Sequence, residues 1–158
     1  MNCFKRITRR IKWAYQRIKY GWCDRDLWNL DCWFLDVIVP MLKRFKEIKH
    51  GHPASMTEEQ WNNILDEMIM HFENCDENNP VNHNDKWDKY YNLMTKDYQN
   101  GDDVENLLTM CNTEPCTVGQ QEAKDEWLAK EQEIYNFRLT EREQAFKMFC
   151  EHFENLWD

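Results

Sequence analysis

Apolar residues recur at spacings of three and four along most of this chain, the mark of helices that bury one face. Phe4, Ile7, Ile11, Ala14 (with Tyr15) and Ile18 share one face of a first helix over residues 3–20, and basic residues occupy the rest. Gly21 is placed to end it, because glycine accepts the left-handed conformation that follows a helix. Asp24 or Asp26 can cap the next helix, whose apolar positions run from Leu27, Trp28 and Leu30 through Phe34, Leu35 and Ile38 to Met41, Leu42, Phe45 and Ile48. Between Cys32 and Leu42 it is apolar nearly all round, which predicts the centre of a bundle. Pro40 predicts a kink or a break. His50-Gly51-His52-Pro53 supplies the stop.

Thr57 and Gln60 form a capping box for a third helix, which continues through Trp61, Ile64, Leu65, Met68, Ile69 and Phe72. A loop follows at Asn78-Asn79-Pro80, then a helix over residues 85–98 carrying Trp87, Tyr90, Tyr91, Met94 and Tyr98. Residues 104–110 are ambiguous by period, and 111–119 read as an irregular loop. From about residue 120 the helical pattern returns through Trp127, Ile134, Phe137 and Leu139 to Ala145, Phe146, Phe149, Phe153 and Leu156. Thr140 with Glu143 is a second capping box, which predicts two helices meeting at residue 140. The fold expected is a single all-α domain, a helical bundle of about five to seven helices. The basic helix 3–20 packs on an acidic helical body, 24–158. Leu30, Phe34, Ile38, Leu65, Phe72, Phe146, Phe149 and Phe153 are the expected core.

Composition agrees with this class. Four Gly and four Pro among 158 residues are too few for a many-turned β-sandwich, while eight Trp and eight Phe suit a core of few, large side chains. The aromatic surplus also favours a homo-oligomer. The segment from Ile7 to Ile18 is interrupted by charge at nearly every turn, unlike a signal peptide. The longest strongly apolar run, Cys32 to Leu42, is too short to cross a membrane. Seven cysteines (3, 23, 32, 75, 111, 116 and 150) are odd in number and scattered, so they read as reduced thiols acting as small apolar residues.

Charge is divided unevenly. Residues 1–20 hold seven Lys or Arg and no acid, whereas residues 51–158 hold eight Lys or Arg against 24 Asp or Glu. Arg9, Arg10, Arg17 and Arg25 are the candidate phosphate ligands, and Trp13, Tyr20 and Trp22 the candidate stacking rings. Three readings of the basic helix compete: a solvated face docked on acids of its own chain, a nucleotide site, and a membrane-surface helix. The acidic bulk disfavours long nucleic acid, whose affinity rests on many phosphate contacts. A membrane surface ranks last, because the apolar face is needed for packing and the acidic remainder is repelled. If Asp31 is buried, Arg17 or Arg25 is its natural partner.

No catalytic signature stands out, and no catalytic residue, metal ligand or cofactor is assigned. His50 and His52 would need further ligands from His71, His83 or a cysteine, and the Cys111–Cys116 spacing is a lone pair. Glu58, Glu59, Asp66 and Glu67 on one helix, and Glu141, Glu143, Glu151 and Glu154 on another, allow a Mg²⁺-dependent nucleotide hydrolase as an alternative. A chain with 29 acids produces such spacings by coincidence.

The order Trp28-Asn29-Leu30-Asp31, then His50-Gly51-His52-Pro53, then Asn155-Leu156-Trp157-Asp158 resembles a group of small proteins encoded by tailed bacteriophages and prophages. In that group a basic start precedes a W-N-L-D helix, an H-G-x-P turn and a closing L-W-D. The resemblance implies a phage origin and action in the cytoplasm of an infected bacterium, and it implies no activity. The expectation is a non-enzymatic accessory protein that counters a host process, foremost antiviral immunity. It would sequester a phosphorylated nucleotide signal or bind a host protein. The other alternative is an acidic decoy of nucleic acid.

Overall fold

The structure is a computed structural model that describes residues 3–95 and 117–157. It is all-α, and its described residues include no strand. Among the described residues five α-helices follow in chain order: α1 Cys3–Tyr20, α2 Leu30–Ile48, α3 Glu58–Cys75, α4 Lys86–Thr95 and α5 Val118–His152. Short 3-10 turns lie at Asp26–Asn29, Pro80–Asn82 and Phe153–Asn155. The chain divides into two compact units, one of Met1–Glu73 with Met148–Asp158 and one of Asn74–Lys147.

In the first unit the buried residues Trp61, Leu65, Met68, Ile69 and Phe72 all come from α3. Their spacing keeps them on one helical face. Phe72 is their hub, meeting Phe34 of α2 edge-on at 5.8 Å and Phe149 of α5 at 6.0 Å. This corrects the expected centre. Of α2, only Leu42 is buried, Phe34 and Ile38 are half-covered, and Leu30 is exposed. An apolar run that surrounds a helix marks how much it could bury, and the partners at hand cover only one side. Pro40 does not break α2, which stays helical from Leu30 to Ile48. Pro40 and Asp36, whose carbonyl loses its helical donor, are both exposed, so water can serve that carbonyl. The Thr57 box forms as expected, with Gln60 N donating to Thr57 Oγ1 at 3.2 Å and Thr57 N to Gln60 Oε1 at 2.8 Å.

The second unit has an aromatic core. Tyr90 stacks on Trp127 at 5.3 Å, and Trp87 meets the same indole at 5.1 Å. Tyr90, Met94 and Ala123 are buried beneath. Asn84 ties the pair of helices together: its Oδ1 accepts from Lys86 N, and its Nδ2 donates to Trp127 O and Glu131 Oε2. Arg138 Nε donates to Cys75 O at 3.1 Å, satisfying a carbonyl at the end of α3.

The expected division at residue 140 is absent, for α5 runs unbroken from Val118 to His152. Thr140 Oγ1 donates instead to Asn136 O at 3.1 Å, the bond a threonine makes inside a helix. Its neighbours Arg138, Leu139, Glu141 and Arg142 are strong helix formers. The working capping box lies earlier, at Thr117 and Gln120, so Val118 and Gly119 belong to the helix rather than to a loop. Phe146 and Phe153, expected in the core, are exposed. Residues 96–98 and 104–110, with Cys111 and Cys116, lie outside the described residues.

Cys23 and Cys150 are free thiols, the first buried and the second exposed. Burial, reinforced by the nearby Glu141 carboxylate, pushes the Cys75 thiol up to about 11. Because the thiolate is the nucleophile, Cys75 is expected to alkylate at least about tenfold more slowly than exposed Cys150. Peptide mass mapping of the native protein after an iodoacetamide pulse checks this, and equal rates would contradict the packing of α3.

Candidate functional site

The candidate site is built at the junction of α1, the turn after it and the start of α2. Gly21 ends α1 with φ +79°, and its N–H donates to Arg17 O at 3.0 Å. Asp26 then folds the turn inward. Its carboxylate accepts from Cys23 N at 2.8 Å, from Arg17 Nε at 3.3 Å, and from Arg17 Nη2 in a second, shorter bond. The Asp26 side chain is 6% exposed, and the Arg17 guanidinium holds its carboxyl down at about 2 against the opposing effect of burial. Asp24 is held similarly, accepting from Lys12 Nζ at 2.7 Å and Gln16 Nε2 at 2.6 Å, which lowers its pKa.

Neither aspartate caps α2, as the sequence had suggested. The residue before α2 is Asn29, whose side chain makes no capping bond, and both aspartates are spent on closing the turn. Arg17 does pair with a buried acid, but that acid is Asp26 and not Asp31, which is exposed.

These bonds fix which way α1 faces. The side that meets the turn bears Lys12, Trp13, Gln16 and Arg17, and Trp13 and Gln16 are half-covered. The opposite side bears Ile7, Ile11, Ala14 and Ile18, all exposed. The expectation that the apolar face does the packing is therefore reversed. Two aspartates held close to α1 in sequence bind its cations and glutamine, and so select the polar side.

The seven candidate residues fall into three groups. The Arg9 guanidinium lies over the Trp13 ring at 5.0 Å, with Arg10 exposed on the same helix. Tyr20 and Trp22 stack at 5.8 Å, and Lys19 Nζ stands 5.0 Å from the Tyr20 ring. Arg17 and Arg25 alone reach a common cleft of about 480 Å³, which they line with Asp26, Trp28, Asn29, Cys32, Trp33 and Asp36. Asp26 occupies two of the five N–H donors of Arg17 and Cys23 also engages the guanidinium, yet the Arg17 side chain stays 59% exposed. Trp28, Trp33 and Asn29 were not among the candidates, although Trp28-Asn29 begins one of the motifs. A pattern read for capping gave no sign that its ring would stand 90% exposed beside two arginines.

A second hollow, about 460 Å³, lies between the His50–Ala54 turn, Trp61, Asn155 and Trp157. It brings the H-G-x-P turn and the closing Asn155-Leu156-Trp157 segment together, which their distance in sequence concealed. His52 Nδ1 lies 3.1 Å from Pro53 O. Of the acids of the hydrolase reading, all but the half-buried Glu141 are exposed; Asp66 pairs with Lys46, and Glu141 accepts from Asn74 Nδ2 at 2.8 Å. Among the described residues no group of three or more His, Cys, Asp or Glu side chains is placed to hold a metal ion. The chain matches no family model, no curated protein and no solved structure.

Proposed function

We propose that this is a binding protein whose cleft between α1 and α2 takes a small ligand carrying both a phosphate and an aromatic ring, a nucleotide by chemical class. One observation carries the reading: Arg17 and Arg25 line the same cleft as Trp28 and Trp33. Arg25, with the outer donors of Arg17, would hold phosphate in charge-assisted bonds. An indole would stack on the base, and the Asn29 amide could read its edge. Asp36 would accept from a ribose hydroxyl. Its charge favours a ligand with one phosphate end over a polyanion. The setting we propose rests on the resemblance of its short motifs to those of phage proteins: a bound nucleotide signal would be withheld from a host defence.

Titration with nucleoside monophosphates and cyclic dinucleotides, read by tryptophan fluorescence and calorimetry, tests this. Arg25→Glu and Trp28→Ala are each expected to weaken binding about tenfold or more, because both side chains are exposed and the fold should survive. Unchanged affinity in both variants would overturn the cleft. Product formation that a chelator stops would favour the Mg²⁺-dependent hydrolase instead, and competition with DNA for a host protein would favour the decoy.

A further inference from the structure

The outward side of α1 poses a separate question. Ile11 is 64% and Ile18 87% exposed, Ile7 is 51% exposed, and Ala14 completes a stripe along the helix. Tyr15, itself 60% exposed, borders it. By helical geometry Arg10 flanks one side of the stripe and Lys19 the other. A surface helix of a free-standing domain normally turns such residues inward, and here ion pairs to Asp24 and Asp26 hold them out.

We propose that α1 lies in the plane of an anionic membrane surface, its isoleucine stripe at the boundary of headgroups and acyl chains and Arg10 and Lys19 on lipid phosphates. Large amphipathicity, low overall hydrophobicity and a polar face of Lys and Arg are the features of helices that bind in this way. Between residues 3 and 31 there are eight Lys or Arg against three Asp, and two of those three are neutralised by Lys12 and Arg17. The region is therefore cationic where it would meet the bilayer. The acidic balance of residues 51–158 opposes this only over about a Debye length, ~8 Å at physiological ionic strength.

A second copy of the chain fits less well. Two α1 helices meeting by their stripes would bring the flanking Arg10 and Lys19 of each copy together, with no acid on either helix to offset them. The stripe is also narrow beside the ~800 Å² that each partner contributes to a standard interface. An anionic bilayer supplies the apolar depth and the countercharge at once. No helix among the described residues is long and apolar enough to cross a membrane, so the contact would be peripheral and reversible.

Co-sedimentation of the full chain with vesicles of phosphatidylcholine alone, or of phosphatidylcholine with phosphatidylglycerol, tests the proposal. Binding is expected only to the anionic vesicles and should weaken as salt is raised. The double variant Ile11→Ser/Ile18→Ser should lose about tenfold or more of that binding, since both residues are exposed and contribute little to folding. The same variant should leave nucleotide titration unchanged, so this idea and the cleft can fail separately. Absence of binding to anionic vesicles, or equal binding by the double variant, would overturn it. So would a dimer in light scattering that the double variant dissociates while vesicles stay unbound.

Discussion

Phe72→Ala is expected to destabilise the first unit by about 3–5 kcal/mol, the largest single effect anticipated for this chain. The ring is fully buried, and it touches Phe34 and Phe149 at once, so its removal opens a cavity between three helices. Dispersion contacts on all sides are lost and the surrounding helices can collapse only partly. Leu30→Ala should cost about 0.5 kcal/mol or less, because that side chain already stands 55% exposed at the start of α2. Urea unfolding followed by tryptophan fluorescence distinguishes the two. Equal losses would mean that α2, rather than α3, is the helix around which this unit packs.

That contrast shows what the amino-acid pattern could and could not convey. Period located α1, α2, α3 and α4, and Gly21 marked the end of α1, whereas α2 ends at Ile48, three residues short of Gly51, and begins with no side-chain cap. Period could not rank these helices by burial. Leu30, Phe146 and Phe153 sit on apolar faces as surely as Leu65 and Phe72 do, and the choice between them depends on which partners arrive. Capping boxes had the same limit. The pattern at Thr57 and the one at Thr140 are nearly alike, yet one opens a helix and the other lies inside it. A threonine caps only where the preceding backbone leaves the helix, and that is decided by its neighbours.

The site was legible in part. Arg17 and Arg25 were chosen for charge, and they do meet in one cleft. Arg9 and Arg10, which charge also singles out, and Trp13, Tyr20 and Trp22, singled out as stacking rings, stand elsewhere on α1 and its turn. Two aspartates in the turn make the difference. Asp24 takes Lys12 and Gln16, and Asp26 takes Arg17, which rotates α1 so that its isoleucines face out. A hydrophobic pattern assumes that apolar faces decide packing. In α1 two aspartates within a few residues decided it.

Asp26→Ala is therefore expected to release α1 from its turn, at a cost of about 1–3 kcal/mol. It would leave the Cys23 N–H, in a buried residue, without its acceptor, and Arg17 without its counter-ion. Asp26→Asn keeps an acceptor for the amide and removes only the charge, so its loss should be the smaller of the two. The pH dependence has a definite sign. The folded-state carboxyl titrates at about 2, below its ordinary 3.8, so the pair's contribution is complete above about pH 4 and is lost as pH falls through about 2. Hydrogen exchange at residues 17–26 is the measurement, because the opening is local and a global melt could miss it. Wild-type protein should lose protection there on acidification over that interval, and Asp26→Asn should show reduced protection with a smaller change across it, the remainder coming from Asp24, whose carboxyl is also lowered. An unaltered acid response in Asp26→Asn would assign the turn's stability to Asp24 and its partners. The orientation of α1, and with it both the cleft and the outward isoleucine stripe, would then rest on Lys12 and Gln16 rather than on Arg17.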